Sequence, residues 1–133
     1  MGGRLLIVLD THVWIWSEDA PQRLGRDAAR AIRVADRIGI PAISCYEVAV
    51  LAERGRIKLD RPVTEWIGEA LARPRVELLP LTPGIAVWAA RLGGTVSSDP
   101  VDRIIAATAL EMKAPLVTKD ERLHGLPQLE VVW

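Results

Sequence analysis

Leu5-Leu6-Ile7-Val8-Leu9-Asp10-Thr11-His12-Val13-Trp14-Ile15-Trp16 is the stretch on which the fold turns. It opens with a continuous apolar run, without polar alternation, which describes a strand buried on both faces, as in parallel sheets. An acid closes the run, and in open α/β sheets functional groups collect at the carboxyl ends of strands. Upstream, Met1-Gly2-Gly3-Arg4 leads straight into it, and the apolar stretch is too short for a signal sequence. Downstream, His12 to Glu18 predicts a short helix that Pro21 breaks.

The rest of the chain alternates in the same way. Arg26 to Arg37 reads as an amphipathic helix through Ala28, Ala29, Ile32 and Ala35. Ile38 to Ile43 reads as a second strand, with Pro41 arguing for an edge or an irregularity. Ser44-Cys45-Tyr46-Glu47 opens a helix that runs to Arg54 and stops at Gly55. Pro62 starts another, to about Ala72, and Val76 to Leu79 is a third strand. Thr82-Pro83 starts a helix ending near Gly93-Gly94, and Asp99-Pro100 starts one reaching about Lys113. Pro115 to Thr118 and Leu129 to Val132 complete the strands. Strand–helix alternation of this kind predicts an α/β domain with a mostly parallel central sheet flanked by helices.

Composition sets the frame. The chain has 133 residues, the size of one ordinary domain, so residues 1–133 are expected to form a single unit. Seventeen Lys and Arg balance seventeen Asp and Glu, so net charge gives no hint of nucleic acid, and an acidic metal site would mask basic residues in that count. Cys45 is the sole cysteine, which excludes an internal disulfide and suits a reducing, cytoplasmic setting; its apolar neighbours mark it as a packed residue rather than a nucleophile. No apolar run approaches the roughly 18 residues that span a bilayer, so no membrane partner is expected.

Four acids stand at the expected sheet edge: Asp10 after the first strand, Glu47 in the helix after the second, Asp102 in the first turn of the helix feeding the fourth, and Asp120 just beyond the fourth. Each has an ordinary local reading. Ser44-x-x-Glu47 is spaced as a capping box. Asp99 can cap the helix that Pro100 opens, with Asp102 favoured by its positive end. Asp10 can cap the helix through Thr11-His12, and Asp120 the segment Glu121 to Leu123. Their neighbours argue for more. Glu47 shares a face with Val48 and Leu51, and Asp102 has Ala106 four residues on, small enough to let the helix lie close to the sheet. Carboxylates on inward faces are costly unless paired or bound to a cation, and no matching inward Lys or Arg is evident. A hard divalent ion is the simpler expectation, since Mg²⁺ takes oxygen ligands, keeps several waters and is usually held by one or two carboxylates.

With these motifs in hand, the chain resembles PIN-domain proteins of the VapC toxin type. The resemblance rests on Asp10-Thr11-His12-Val13-Trp14-Ile15-Trp16, on Ser44-Cys45-Tyr46-Glu47-Val48, on Asp99-Pro100-Val101-Asp102-Arg103-Ile104-Ile105-Ala106-Ala107-Thr108-Ala109 and on Leu116-Val117-Thr118-Lys119-Asp120, in order along nearly the whole chain. Asp102, directly before the Ile-Ile-Ala-Ala run, matches the family's third acid; Asp99 is then a cap or a supporting acid. Relatives with this motif often carry His-Arg just before it, where this chain has Ser97-Ser98.

The resemblance implies a single PIN-like nuclease domain. It implies a Mg²⁺- or Mn²⁺-dependent endoribonuclease, with one or two ions per site, that hydrolyses RNA through a metal-activated water. It also implies a VapB-type antitoxin, a homodimer and a cytoplasmic location. Asp10, Glu47, Asp102 and Asp120 become the catalytic and metal-binding candidates, with Asp10 and Asp102 first as direct ligands. Thr11, Ser44, Asp99 and Thr118 are secondary candidates. Arg54, Arg56 and Lys58, with Arg103, Lys119 and Arg122, are candidates to hold RNA phosphates. The Arg54–Arg61 cluster can equally be a solvated face, and Arg103 can instead pair with Asp99 or Asp102. His12 and His124 read as packing or capping residues. Trp14, Trp66 and Trp88 read as core or dimer packing rather than base-stacking surfaces.

Other small α/β folds fit poorly. A signalling receiver would have adjacent acids after the first strand and an Asp ending a middle strand; a phosphatase of the paired-aspartate kind would have an acid where His12 stands. The alternative from another class is a catalytically inactive PIN-like module that only docks RNA or a partner.

Overall fold

The computed structural model describes residues 5–93 and 97–133. The Met1–Arg4 lead-in and the expected helix end at Gly94 lie outside the described residues. In chain order the elements are β1 (Leu6–Leu9), α1 (Thr11–Asp19), a 3₁₀ turn (Pro21–Arg23), α2 (Arg26–Val34), β2 (Arg37–Pro41), α3 (Ala42–Glu53) and α4 (Val63–Leu71). Then follow β3 (Val76–Leu79), α5 (Pro83–Leu92), α6 (Pro100–Met112), β4 (Leu116–Val117), a second 3₁₀ turn (Glu121–Leu123) and β5 (Val131–Val132).

The strands form one sheet in the order β3-β2-β1-β4-β5, and every pairing is parallel. The expected mostly parallel sheet is thus wholly parallel. Strand order reverses between β1 and β4, so the sheet has a switch point there, and a crevice opens at the carboxyl ends of those two strands. Asp10 and Thr118 sit at that point.

Both faces of β1 are covered, as its unbroken apolar run requires. Ile7 and Leu9 join Val13, Trp14, Ile38, Ile40, Val48 and Trp66 on one face. Leu6 and Val8 meet Ile105, Ala106, Ala109 and Leu116 on the other. This is the alternation of a strand read at period two. Ala106 and Ala109 are fully buried in the cluster that joins α6 to β1 and β4, and their small side chains let the helix lie close to the sheet beside Ile105. Trp14 and Trp66 pack edge to face at 5.1 Å between centroids and are buried, which settles both as core residues. Cys45 is a free, half-buried thiol packed against the same core. Among the described residues no helix is long and apolar enough to cross a membrane.

Three expectations are corrected. β2 is an interior strand between β1 and β3, and Pro41 marks neither an edge nor a break. It closes the strand at its carboxyl end and caps α3, where its missing N–H costs nothing. As a result α3 begins at Ala42, two residues earlier than expected. Ser44 is therefore inside the helix and cannot be the N-cap of a capping box with Glu47. The expected helix from Arg26 to Arg37 ends at Val34, because Arg37 has joined β2 and donates its N–H to Leu5 O at 3.0 Å.

Candidate active site

β1 delivers Asp10 to the crevice, where it caps α1 with its side chain accepting from Thr11 N at 2.8 Å. Its other carboxylate oxygen accepts from the Thr118 hydroxyl at 2.6 Å. The same hydroxyl accepts from Asp120 N at 3.0 Å, so Thr118, buried after β4, ties the first acid to the fourth. Asp120 caps the second 3₁₀ turn by accepting from Arg122 N at 3.0 Å.

α3 carries Ser44 and Glu47 beneath α1. The Thr11 hydroxyl donates to the Ser44 hydroxyl at 3.0 Å. Ser44 is fully buried, so its role is to seat Thr11 and the α1–α3 contact. At the start of α6, Asp99 caps the helix by accepting from Val101 N at 2.9 Å. Asp102, one turn in, accepts from the Ser97 hydroxyl at 3.0 Å. Ser97 also accepts from Asp99 N at 3.1 Å. Ser97, read in the sequence only as a departure from His-Arg, is thus the donor that orients Asp102.

Asp10, Glu47, Asp102 and Asp120 all line one cleft of about 520 Å³, with Asp99, Lys119 and Arg122 at its wall. Another cavity of about 570 Å³, against α5 beside Pro83, Val87 and Trp88, contains no carboxylate and lies away from the crevice.

Electrostatics divides the acids. Burial pushes the Asp10 carboxyl above its usual range, against the pull of Thr118 and Thr11 donors. Burial likewise raises Glu47, helped by the charges of Asp10 and Asp102 and opposed by Thr11. Asp102 is raised by burial and by Asp99 and Asp10, and is held back by Ser97 and Arg122. Asp120 goes the other way, because hydrogen bonds from Arg122 favour its charged form.

The expectation that no inward cation faces the acids is overturned by Arg122. Its guanidinium bonds Asp102 Oδ2 at 3.0 Å and Asp120 Oδ2 at 2.7 Å. Arg103 pairs with neither Asp99 nor Asp102. It donates instead to the Ser97 and Ser98 carbonyls, at 2.6 and 2.9 Å, and holds the lead-in to α6. Lys119 lies on the cleft wall, 5.9 Å from the centroid of the Trp16 ring. Arg54, Arg56 and Lys58 are exposed beyond α3 and do not line the cleft. His12, read in the sequence as a packing or capping residue, lines the cleft, as does Trp16.

The donor set fits a hard divalent cation. It is all oxygen, and each Asp10 oxygen accepts one hydrogen bond, which leaves lone pairs for an ion. Among the described residues no three Asp, Glu, His or Cys side chains stand close enough together to hold an ion between them. An open arrangement of one or two carboxylates completed by water is the habit of Mg²⁺.

The PIN domain family matches residues 7–129 of this chain. Ribonuclease VapC22 of Mycobacterium tuberculosis (strain ATCC 25618 / H37Rv) is 43% identical over 129 residues, 96% of this chain and 98% of that protein. Among solved structures, DNA-bound VapBC from Salmonella typhimurium superposes with a TM-score of 0.72 at 20% identity, covering 96% of each chain. VapBC2 from Rickettsia felis, bound to a DNA fragment from their promoter, superposes at 0.71 with 16% identity, covering 96% of this chain and 97% of that one. At these identities the structural likeness is one of fold.

Proposed function

Because the chain belongs to the PIN-domain family, we propose that it is a Mg²⁺- or Mn²⁺-dependent endoribonuclease, the toxin of a toxin–antitoxin pair. The observation that carries this is the crevice itself. Acids from β1, α3 and α6 meet at the sheet's switch point, and three of them are held above their usual range by burial. A module that only docks a partner has no use for such a costly arrangement.

Asp10 and Asp102 would hold one or two ions, with Asp120 contributing directly or through water. A divalent ion, when bound, supplies Lewis acidity: it acidifies water near neutral pH and offsets charge on the phosphate. Thr118 and the Thr11 N–H fix the Asp10 carboxylate, and Ser97 fixes Asp102, so neither reorganises as substrate arrives. Glu47, its carboxyl raised by burial, either joins the ligands or accepts the proton of the attacking water. Lys119 and Arg122 hold phosphates at the cleft, Arg54, Arg56 and Lys58 hold more distant ones, and Arg103 acts by shaping the α6 lead-in.

In this reading residues 1–133 work as one domain, in the cytoplasm, as a homodimer restrained by a VapB-type antitoxin. Two solved relatives of the same fold are VapBC proteins, and the sequence relative is a VapC. Water rather than the 2′-hydroxyl attacks, so the new ends are a 5′ phosphate and a 3′ hydroxyl. End-mapping of cleaved RNA tests this. A 2′,3′-cyclic phosphate would rule out the water-based route.

A further inference from the structure

Arg122 stands where a cation is wanted. It follows Asp120 by two residues, and its backbone N–H and Nε both bond Asp120 Oδ1 at 3.0 Å, a local contact that the turn alone explains. The bond to Asp102 is different, because Asp102 lies 20 residues away on another element. The Asp102 and Asp120 side chains are 13% and 21% exposed, whereas that of Arg122 is 59% exposed. A largely solvated guanidinium thus reaches in to neutralise two sheltered carboxylates. Held between two carboxylates at 3.0 and 2.7 Å, it takes up Asp102 Oδ2, which also accepts from Ser97, and both oxygens of Asp120, lone pairs that a Mg²⁺ ion would draw on.

We propose that Arg122 is a displaceable internal counter-charge: its guanidinium and the divalent ion compete for Asp102, and the ion loads only by driving the guanidinium out. Exposed ion pairs are weak and release readily. The displaced arginine remains on the cleft wall with its charge intact, placed to meet a phosphate. Ion-free protein is thereby kept from the repulsion of bare acids, and metal loading turns an acid-bound arginine into a free positioning residue. The inference rests on the metal-dependent reading above and specifies how that site is kept while empty.

The test is titration of the full chain with Mn²⁺ alone, by calorimetry at pH 7.5, comparing the native protein with Arg122→Gln and Lys119→Gln. Lys119→Gln removes the same charge from the same cleft wall, without an ion pair to Asp102 or Asp120 among the described residues. Arg122→Gln should bind Mn²⁺ about three- to tenfold more tightly than native protein, the scale of one lost competing ion pair, with Lys119→Gln changing affinity less than about twofold. In ¹⁵N-arginine spectra of the native protein, Mg²⁺ should shift the Arg122 Nε–H resonance. Equal or weaker Mn²⁺ binding by Arg122→Gln, or equal gains in both variants, would overturn the inference while leaving the metal site standing. If the native protein and both variants bind no Mn²⁺, the metal reading itself falls.

Discussion

Replacing Thr118 with valine removes one hydroxyl and leaves the volume almost unchanged. That hydroxyl is fully buried, donates to Asp10 at 2.6 Å and accepts from Asp120 N at 3.0 Å. A hydrogen bond to a charged group contributes about 1.5–3 kcal/mol, and an orphaned buried N–H costs about 1–3 kcal/mol. Allowing for overlap and local relaxation, the expected loss is about 2–4 kcal/mol at pH 7.5. The loss should depend on pH. Burial already raises Asp10, Thr118 pulls it back, and its removal lets Asp10 rise further. A carboxyl raised in the folded state adds no penalty below its unfolded value near about 3.9, and costs stability as pH climbs through the folded value. The valine variant should therefore fall further behind the native protein between pH 4.5 and pH 7.5, by about 1 kcal/mol. Urea unfolding followed by tryptophan fluorescence measures both quantities. A loss below about 0.5 kcal/mol, or one that is the same at both pH values, would refute the claim that Thr118 supports an ionised Asp10.

Three further outcomes follow from the same geometry. Glu47→Gln should stabilise the metal-free protein by about 0.5–1 kcal/mol, because it removes a raised, crowded carboxylate, while lowering RNA cleavage about 100-fold or more; thermal melts and initial rates check the two halves. Ala106→Leu should cost about 1–3 kcal/mol, since α6 rests on the sheet with no space at that position; a normal melting temperature would contradict the packing. Mg²⁺ binding should release protons at pH 5 and fewer at pH 7.5, because Asp10, Glu47 and Asp102 are raised and must lose their protons to an ion. Calorimetry in buffers of different ionisation enthalpy reads the count, and no release at pH 5 would count against a shared site.

The parts of the fold visible in the sequence are those with local periodicity. Leu6–Leu9 is apolar without alternation because both sheet faces are covered there, and Asp10 follows because the chain turns into α1 at once. Asp99 and Asp120 cap the elements their positions suggested. What stayed hidden depends on distance in sequence. Strand order is not written in any segment, so Pro41 read as an edge signal when it closes an interior strand. Its capping of α3 then moved Ser44 inside the helix, where a capping-box spacing has no meaning. Arg122 was visible as a basic neighbour of Asp120, but its bond to Asp102 exists only because β4 and α6 meet at the crevice. Ser97 looked like a lost His-Arg pair, and only the folded lead-in to α6 shows its hydroxyl on Asp102.

The proposed crevice chemistry, RNA cleavage with a divalent ion held by Asp10 and its neighbours, stands or falls on an activity assay. The most direct test incubates purified, antitoxin-free protein with a mixed RNA pool in Mg²⁺ or Mn²⁺, beside EDTA and an Asp10→Asn variant whose fold is verified by circular dichroism. Cleavage should disappear both with EDTA and with Asp10→Asn. Cleavage that survives the Asp10 change, or folded, metal-bound native protein that cuts nothing in the pool, would contradict it.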